Sequence, residues 1–300
     1  MRTLQSYREY TPEDYLQGRV KLPPWIHTKR QIPYIYTGQA TASTSFTVQI
    51  TCEKDSYFLV EAISIISTGT TDNPGKDLRN YATIQIEDKS RDQKWSSDFV
   101  NIYDLAGIGP NPKYLKNPVL LLPSTVLLAT VRDKTGVFYL SLAGRKIYDL
   151  SREEAAFLCR RLNYQYVLSL PTLSSGAVAQ TASVQIMNES DFLLQAISGA
   201  TIFNYYPGTI GTVSNEVLMQ LRDTSQDKSL FAQKTPIRLF TGAYYGPLGS
   251  NYMPFQPFCF PQPILIRRNA ILQAEFDNPT GADFSAAASL VFEGARIYDA

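Results

Sequence analysis

The amino-acid sequence predicts an all-β protein, with two antiparallel β-sandwiches in tandem, a short helix between them and an extended N-terminal arm. The 300-residue chain carries a long internal duplication. Its apolar runs are short, rich in β-formers and separated by turn residues. A clear helix start occurs between the two copies. The predicted parts are the arm (1–33), the first sandwich (34–150), the connecting helix (151–163) and the second sandwich (164–300).

Three pairs of segments carry the duplication: GRKIYD (144–149) and GARIYD (294–299), FLVEAIS (58–64) and FLLQAIS (192–198), IQIEDKSRDQK (84–94) and MQLRDTSQDKS (219–229). The offset of roughly 135 to 150 residues is far longer than a solenoid unit, so each copy should have its own core. We interpret the signature residues as structural, with each arginine pairing a nearby acid such as Asp149 or Asp299, or stacking on tyrosine. These residues are Gly144, Arg145, Tyr148, Gly294, Arg296 and Tyr298.

Composition limits the possible partners. Charged residues make up 18% of the chain, and 28 basic residues nearly balance 27 acidic ones, giving a formal net charge of +1. This balance argues against nucleic-acid binding, and a weakly charged surface favours self-association. The sequence has no apolar run of about 18 residues and no apolar signal-peptide core, so no membrane contact is expected. We expect the chain in the cytoplasm or in a particle assembled there.

Residues 1–33 have the character of an arm. A helix start at Thr11 is followed by a proline-rich extended segment. Such an arm lies either across its own sandwiches or on a neighbouring subunit. Its aromatic residues favour the neighbour, because aromatic side chains are enriched at interfaces. The interface candidates in the arm are Tyr7, Tyr10, Tyr15 and Trp25.

Each sandwich should contain roughly seven or eight short strands. In the first copy, Ala82, Ile84 and Ile86 alternate with polar residues, which indicates a strand with one buried face. Between the copies, Ser151 and Glu154 form a capping box that opens the connecting helix.

The copies differ most in the loop 241–263, which is rich in proline and aromatic residues. Loops longer than about 15 residues without elements of their own are usually functional. We therefore expect a stiff docking surface here. Its interface candidates are Tyr244, Tyr245, Tyr252, Phe255 and Phe258.

Residues suited to catalysis or cofactor binding are scarce. The single histidine, His27, cannot complete a Ser-His-Asp or Cys-His site without partners that the sequence does not offer. Three cysteines form neither a closed disulfide framework nor a metal-ligand spacing, and we expect Cys52 and Cys259 to be buried as small apolar residues. We expect no cofactor and no metal.

Two acidic pairs recur between the copies: Asp88 with Asp92, and Asp223 with Asp227. Paired carboxylates can face a sugar or a calcium ion. We interpret them instead as strand-end turns in which aspartate binds its own backbone.

The strand order, the aromatic arm and the pattern ending in GxxIY resemble tandem jelly-roll-like β-sandwich proteins of tailed-bacteriophage virions, including decoration and head-to-tail neck or collar components. The resemblance covers residues 34–299. It implies a non-enzymatic structural protein that assembles by arm exchange and loop docking on the capsid or connector. Its partners would be copies of itself and other virion proteins, in a virion assembled in the host cytoplasm.

Two jelly rolls in one chain also resemble the double-jelly-roll major capsid proteins of tailless viruses. The helical connector and the short second loop set of the first copy speak against that variant. A different class, a carbohydrate- or receptor-binding pair of sandwiches with aromatic stacking platforms, stays open, as does a carboxylate glycoside hydrolase. Deletion of residues 1–33 should abolish assembly of a virion protein while leaving each sandwich folded.

Overall fold

The computed structural model describes residues 11–42, 45–68, 82–108, 110–132, 136–199, 217–237, 240, 257–279 and 289–298. Two sandwiches of mainly antiparallel strands follow each other along the chain, which confirms the all-β class. The helices of the described residues are short: α1 (Pro12–Leu16), a 3-10 helix (Pro24–Thr28), α2 (Ile102–Leu105) and α3 (Arg152–Cys159).

The strands of the first copy are β1 (Gln31–Ala42), β2 (Ser45–Thr51), β3 (Tyr57–Thr68), β4 (Thr83–Asp88), β5 (Gln93–Lys94), β6 (Val100–Asn101), β7 (Gly107–Ile108), β8 (Lys113–Leu121), β9 (Val126–Arg132) and β10 (Gly136–Ile147). Those of the second copy are β11 (Arg161–Ser169), β12 (Gln180–Gln185), β13 (Asp191–Ser198), β14 (Leu218–Asp223), β15 (Lys228–Ser229), β16 (Thr235–Pro236), β17 (Phe258–Ile266), β18 (Ile271–Asp277) and β19 (Ser289–Ile297).

Both copies have the jelly-roll topology. In the first, the sheet β1-β10-β3-β8 faces the sheet β2-β9-β4, which the short β5 and β6 extend. In the second, β11-β19-β13-β17 faces β12-β18-β14, extended by β15 and β16. The last long strand of each copy thus lies between its first and third strands, as in a sandwich made of two Greek keys. We call the copies the first and second jelly rolls.

Each jelly roll has its own core between its two sheets. In β4, Ile84 and Ile86 are fully buried between half-exposed neighbours, as the alternation in the sequence predicted. Met219 and Leu221 of β14 take the matching places in the second core. The alternation arises because successive side chains of a strand point to opposite faces, and only one face meets the other sheet.

The described part of the arm packs on its own chain. Tyr15 and Ile26 are buried, and with α3 they form a third apolar cluster on Leu59 of β3, at the outer face of the first sheet. The Tyr15 hydroxyl donates a hydrogen bond to the Leu158 carbonyl of α3 at 3.0 Å. Tyr15 is thus a core residue, which corrects the expectation that it contacts a neighbour.

The other aromatic residues of the arm have different positions. Trp25 is half-buried, with its ring centroid 6.5 Å from that of Phe157 in α3. Its part in an interface therefore stays a prediction. Tyr7 and Tyr10 lie outside the described residues.

Two boundaries differ from the predicted ones. Strand β1 begins at Gln31, so Pro33 lies in a strand. It is tolerated there because β1 is at the edge of its sheet. Helix α3 has the predicted capping box at Ser151 but ends at Cys159, and Asn163 belongs to β11. The helix is short because the chain returns to pair with β19 from Arg161 onward.

Candidate assembly interface

The two jelly rolls meet along a buried contact, which we call the seam. On one side are residues 95–97 and β8 of the first jelly roll, and on the other is the outer face of the β11-β19-β13 sheet. The Gln165 N–H donates to the Trp95 carbonyl at 3.0 Å, and the Ser97 N–H donates to the Gln165 carbonyl at 2.9 Å. These bonds cover an edge of β11 that would otherwise expose unpaired backbone groups.

Asn117 of β8 is the polar centre of the seam. This buried amide donates to the Gly294 carbonyl at 2.9 Å and to Gln195 Oε1 at 2.8 Å. Its own oxygen accepts a hydrogen bond from Arg161. One side chain of the first jelly roll therefore binds three of the four strands of the opposing sheet, β11, β19 and β13.

Arg161 joins the arm to the seam. Its guanidinium donates to the carbonyls of Tyr15 and Val20 at 2.8 and 2.7 Å, in addition to Asn117. Burial lowers the pKa of Arg161 to about 10, since desolvation disfavours the charged form. The hydrogen bonds to carbonyl and amide oxygens compensate part of that cost.

An ion pair adds to the seam. Lys113 Nζ lies 2.7 Å from Glu293 Oε1, and the Ser198 hydroxyl donates to the same carboxylate at 2.8 Å. Lys113 also donates to the Asp104 carbonyl at 2.5 Å. Both charged groups are therefore hydrogen-bonded beyond their mutual contact, which a buried ion pair needs to offset desolvation.

The seam buries the outer face of the β11-β19-β13 sheet of the second jelly roll. Eight of the nine residues of β11 are buried or half-buried, without the alternation of a strand that has one free face. Val291, which lies on that outer face, belongs to the core cluster of the first jelly roll, and so does Leu162 at the start of β11. The two jelly rolls thus share apolar packing as well as polar contacts.

Part of the matching face of the first jelly roll, at β1, is left uncovered by the described residues, because the arm and α3 pack only on the part around Leu59. Ile35 of β1 is 62% exposed, and within the described residues β1 pairs with β10 alone. Side by side on this face lie Ile35 and Ala143, then Thr37, Ser141 and Ser64. None of these side chains is charged. We call this surface the open face.

The signature glycines lie at matched β-bulges. Glu61 is the extra residue opposite Gly144, and Gln195 is the extra residue opposite Gly294. A Cβ atom on Gly144 or Gly294 would lie 1.9 or 2.0 Å from a backbone oxygen of the neighbouring strand. Only glycine permits this close approach, so both residues have a structural role.

An aromatic pair is repeated with the same geometry. The rings of Tyr34 and Tyr36 lie 4.9 Å apart at 63°, and so do those of Tyr164 and Tyr166. The second tyrosine of each pair meets a core phenylalanine edge-on at 4.8 Å. These pairs show that β1 and β11 are equivalent, residue by residue.

A cation covers the first tyrosine of each pair. Lys146 Nζ lies 4.0 Å from the ring centre of Tyr34, and the Arg296 guanidinium lies 5.0 Å from that of Tyr164. Arg296 also stacks on Tyr298 at 4.9 Å, which confirms the predicted arginine–tyrosine contact. The structural equivalent of Arg296 is Lys146, not Arg145.

The acids that these arginines bind differ from the expected ones. Arg145 pairs with Glu61 of the bulge and not with Asp149. Arg296 pairs with Glu189 at 2.8 Å, and Asp299 lies outside the described residues. A bulge brings its extra residue next to the opposite strand, and no local pattern in the sequence marks that position.

Sequence reasoning missed one pair of segments. Residues 30–36 read RQIPYIY and residues 160–166 read RRLNYQY, a match that marks the first strand of each copy. The leading arginines have equivalent contacts: the Tyr148 N–H donates to the Arg30 carbonyl at 3.0 Å, and the Tyr298 N–H to the Arg160 carbonyl at 2.9 Å. The spaced tyrosines were the available signal.

The aromatic loop is only partly described. Its last residues, from Phe258 onward, belong to β17 and are therefore not a loop. Phe258 is 38% exposed and lies edge-on to Phe240 and Phe260 at 5.1 and 5.4 Å. The remaining candidates lie outside the described residues: Tyr244, Tyr245, Tyr252 and Phe255.

The acidic pairs are turns, as interpreted. Asp88 accepts hydrogen bonds from the Ser90 N–H at 2.9 Å and from Arg91 at 2.8 Å. Asp223 accepts from the Ser225 N–H at 3.0 Å. Asp92 and Asp227 both adopt positive φ angles, which aspartate tolerates in turns.

Other candidate groups are dispersed. Cys52 is buried, as expected, and burial raises the pKa of its thiol to about 12. Cys259 is exposed, which corrects the expectation that it is buried, because it lies on an outer position of the edge strand β17. Within the described ranges, no three His, Cys, Asp or Glu side chains gather as metal ligands.

An open cleft of about 500 Å³ lies between the arm and the first sheet. Its polar and aromatic lining consists of Arg19, Lys21, His27, Glu61, Tyr114 and Arg145.

In the part of the chain that the structure describes, no helix has the length and apolarity to cross a membrane.

A scan against protein-family models finds no match, and neither does a search of curated proteins. Among solved structures, the chain is similar to PBCV-1 VP54, fitted into a reconstruction of the virophage Sputnik, at 10% identity and TM-score 0.39, covering 99% of this chain and 97% of that one. It is similar to a chain of Sulfolobus Turreted Icosahedral Virus at 10% identity and TM-score 0.41, covering 90% of each. It is also similar to PNGase F, a glycosylasparaginase from Flavobacterium meningosepticum, at 11% identity and TM-score 0.37, covering 91% and 96%. Similarities this weak carry no information about function.

Proposed function

We propose that this chain is a non-enzymatic structural protein of a virus particle and assembles with copies of itself. The observation that carries the proposal is the seam. One jelly roll already binds the other through a buried polar centre and a paired strand edge, while the matching open face is uncovered. Jelly rolls are recurrent modules of viral capsids and of lectins.

The surface chemistry supports assembly over sugar binding. A sugar platform needs several aromatic rings on one exposed face. Among the described residues, the strongly exposed aromatic side chains are Tyr114 and Phe258, which belong to different sheets. The open face carries aliphatic and hydroxyl groups, which suit contact with another protein surface.

Within the particle, we favour a shell-forming subunit over the decoration, minor-capsid or collar roles of tailed bacteriophages. The sequence predicted a helix that connects the two jelly rolls, and a helical connector speaks against a double-jelly-roll shell protein. Helix α3 instead packs with Tyr15 and Ile26 on the outer face of the first sheet. The jelly rolls therefore touch directly, as neighbouring modules of a continuous wall would.

Light scattering and electron microscopy of the purified full chain test this function. We expect a discrete oligomer or a closed shell that forms as protein concentration rises. A chain that stays monomeric at high concentration and binds glycans on an array would overturn the proposal and support the carbohydrate-binding alternative.

A further inference from the structure

We propose that the second jelly roll of one chain docks on the open face of the first jelly roll of another copy, and so repeats the seam between chains. The proposal rests on the assembly function above and names the surfaces that carry it. The docking surface consists of residues 230–232, Phe258 and Gln262. The receiving surface is β1 at Ile35, with Ala143 and Glu61.

Backbone hydrogen bonds identify the docking segment. In the first jelly roll, the Trp95 N–H donates to the Ile86 carbonyl at 2.9 Å, and in the second the Leu230 N–H donates to the Leu221 carbonyl at 2.8 Å. Residues 230–232 therefore match residues 95–97. Trp95 and Ser96 are fully buried, whereas Leu230 and Phe231 are half-buried, and Ser97 is half-buried whereas Ala232 is exposed. The segment has its docking partner in one copy and lacks it in the other.

The receiving edge is identified in the same way. Ile35 lies between the paired tyrosines of β1, as Gln165 lies between those of β11. Gln165 is 4% exposed because residues 95–97 cover it, and Ile35 is 62% exposed. Ser96 faces Gln165 across the seam, so Phe231 would face Ile35. A polar pair is replaced by an apolar pair.

In the proposed contact between chains, apolar residues stand at both positions of the ion pair that Lys113 and Glu293 form in the seam. Lys113 is opposite Ile63 in β3, and Phe258 is opposite Ile197 in β13, so Phe258 takes the place of Lys113. Glu293 and Ala143 are matched by their bulges. Replacing one member would leave a buried charge without a partner. An apolar residue at both positions is what two touching surfaces require.

The polar centre is matched as well. Asn117 and Gln262 each lie one residue before a proline in the bulged part of β8 or β17. Asn117 binds Gln195 and the Gly294 carbonyl, whose equivalents are Glu61 and the Gly144 carbonyl. The amide of Gln262 can donate to both. Gln262 is exposed, and Glu61 lines the open cleft.

The contact joins unlike surfaces of two chains. Such a heterologous contact closes a ring or extends a filament, according to the rotation between neighbours. In either case, every copy of Phe231 meets an Ile35 of the next chain, and no Ile35 meets another Ile35.

Cysteine cross-linking of the full chain tests this pairing in a Cys259→Ser background. Chains with Ile35→Cys are mixed with chains carrying Phe231→Cys and oxidised, while light scattering follows assembly in the same sample. We expect a disulfide-linked dimer that contains one chain of each kind. Ser96→Cys with Gln165→Cys in one chain serves as the internal reference, and Val178→Cys mixed with Ile35→Cys serves as the negative control.

Three outcomes would overturn the docking proposal. Assembly without the mixed dimer would refute the proposed contact but not the proposed structural function. Dimers linked between two Ile35→Cys chains would show a contact between like surfaces. Absence of assembly in the unsubstituted chain would remove both proposals.

A charge exchange provides an independent test. Ala143→Glu alone and Phe258→Lys alone should each reduce assembly at least tenfold in concentration dependence, because each places an unpaired charge in the contact. The double variant should recover assembly by forming between chains the ion pair that Lys113 and Glu293 form within one. Thermal melts of the dilute variants check folding. Failure of the folded double variant to recover would contradict the proposal.

Discussion

Arg296 and Arg145 occupy neighbouring positions of the repeat signature but differ in burial. The Arg296 side chain is 6% exposed, stacks on two tyrosines and donates to Ser190 and Glu189. Arg296→Lys keeps the charge but loses the planar stack and one donor. We expect it to lower the free energy of unfolding by about 1–3 kcal/mol in urea titrations.

Arg145→Lys is the matched control. The Arg145 side chain is 24% exposed and pairs with Glu61 near solvent, so the same substitution should cost less than about 1 kcal/mol. Equal losses at the two positions would contradict the distinction. The ungapped match of GRKIYD with GARIYD aligns Arg296 with Lys146 and so puts Arg145 on the other face of the strand, but it does not show which face is buried.

Asp277 should control part of the acid stability of the second jelly roll. The Ala179 N–H and the Lys234 ammonium, both within 2.8 Å, hold the pKa of this carboxyl below its ordinary value of 3.8. A lowered folded-state pKa stabilises the fold fully above the ordinary value. The contribution is lost as pH falls through the lowered value.

Asp277→Asn should therefore reduce stability by about 1 kcal/mol at pH 6, a figure discounted for solvent screening, and by much less near pH 2. Denaturation curves at several pH values measure this. Glu275→Gln removes a Lys234 partner without the backbone bond, and its smaller loss is the control. A constant effect of Asp277→Asn across this pH range would refute the assignment.

The paired bulges are the elements most sensitive to substitution. Gly144→Ala or Gly294→Ala places a Cβ atom 1.9 or 2.0 Å from a backbone oxygen, so two strands must separate. We expect either change to cost more than about 3 kcal/mol in unfolding free energy. Gly176→Ala is the control: its φ of +73° is strained for alanine, but no atom lies within 4 Å, so about 1 kcal/mol is expected.

The arm acts as part of the first jelly roll. Ile26→Ala should lower the unfolding free energy by about 2–5 kcal/mol, because Ile26 is fully buried against the outer face of the first sheet. Val178→Ala, at a strongly exposed position, should have almost no effect. For the same reason, removal of residues 1–33 should destabilise the first jelly roll, and that deletion does not separate assembly from folding.

Elements with a clear period were predictable. The alternation of Ile84 and Ile86 identified β4, and the capping box at Ser151 identified α3. The start of β17 was not predictable, because the prolines around Phe258 are typical of a loop. Only an edge strand with a bulge accommodates them. Docking of the arm on its own chain was one of the two predicted alternatives but not the favoured one, since its apolar residues show which groups need cover but not which surface provides it.

At the scale of the whole molecule, Arg161 should couple the two jelly rolls. Arg161→Met leaves the carbonyls of Tyr15 and Val20 and the amide of Asn117 without this donor. We expect a loss of about 3 kcal/mol and the division of one calorimetric unfolding transition into two. Arg267→Met, at a largely exposed ion pair, should leave a single transition. An undivided transition in both variants would contradict the coupling.

The duplication was readable from the sequence, but the seam was not. Asn117, Arg161 and Gln195 follow no periodic pattern, and each would pass for a surface residue. Their burial arises only when two folded modules meet. Sequence reasoning placed the contacts of this protein in aromatic residues, whereas its observed internal contact centres on an amide and a guanidinium.

The burial of Arg161 has a consequence for why the two modules share one polypeptide. Removing a guanidinium from water is costly, and partners that must find each other by diffusion also lose translational freedom. Tethering replaces that loss by a high effective concentration, which dilution cannot reduce. Two jelly rolls in one polypeptide can therefore keep a polar, orientation-specific contact such as the seam, which two separate chains would form only weakly.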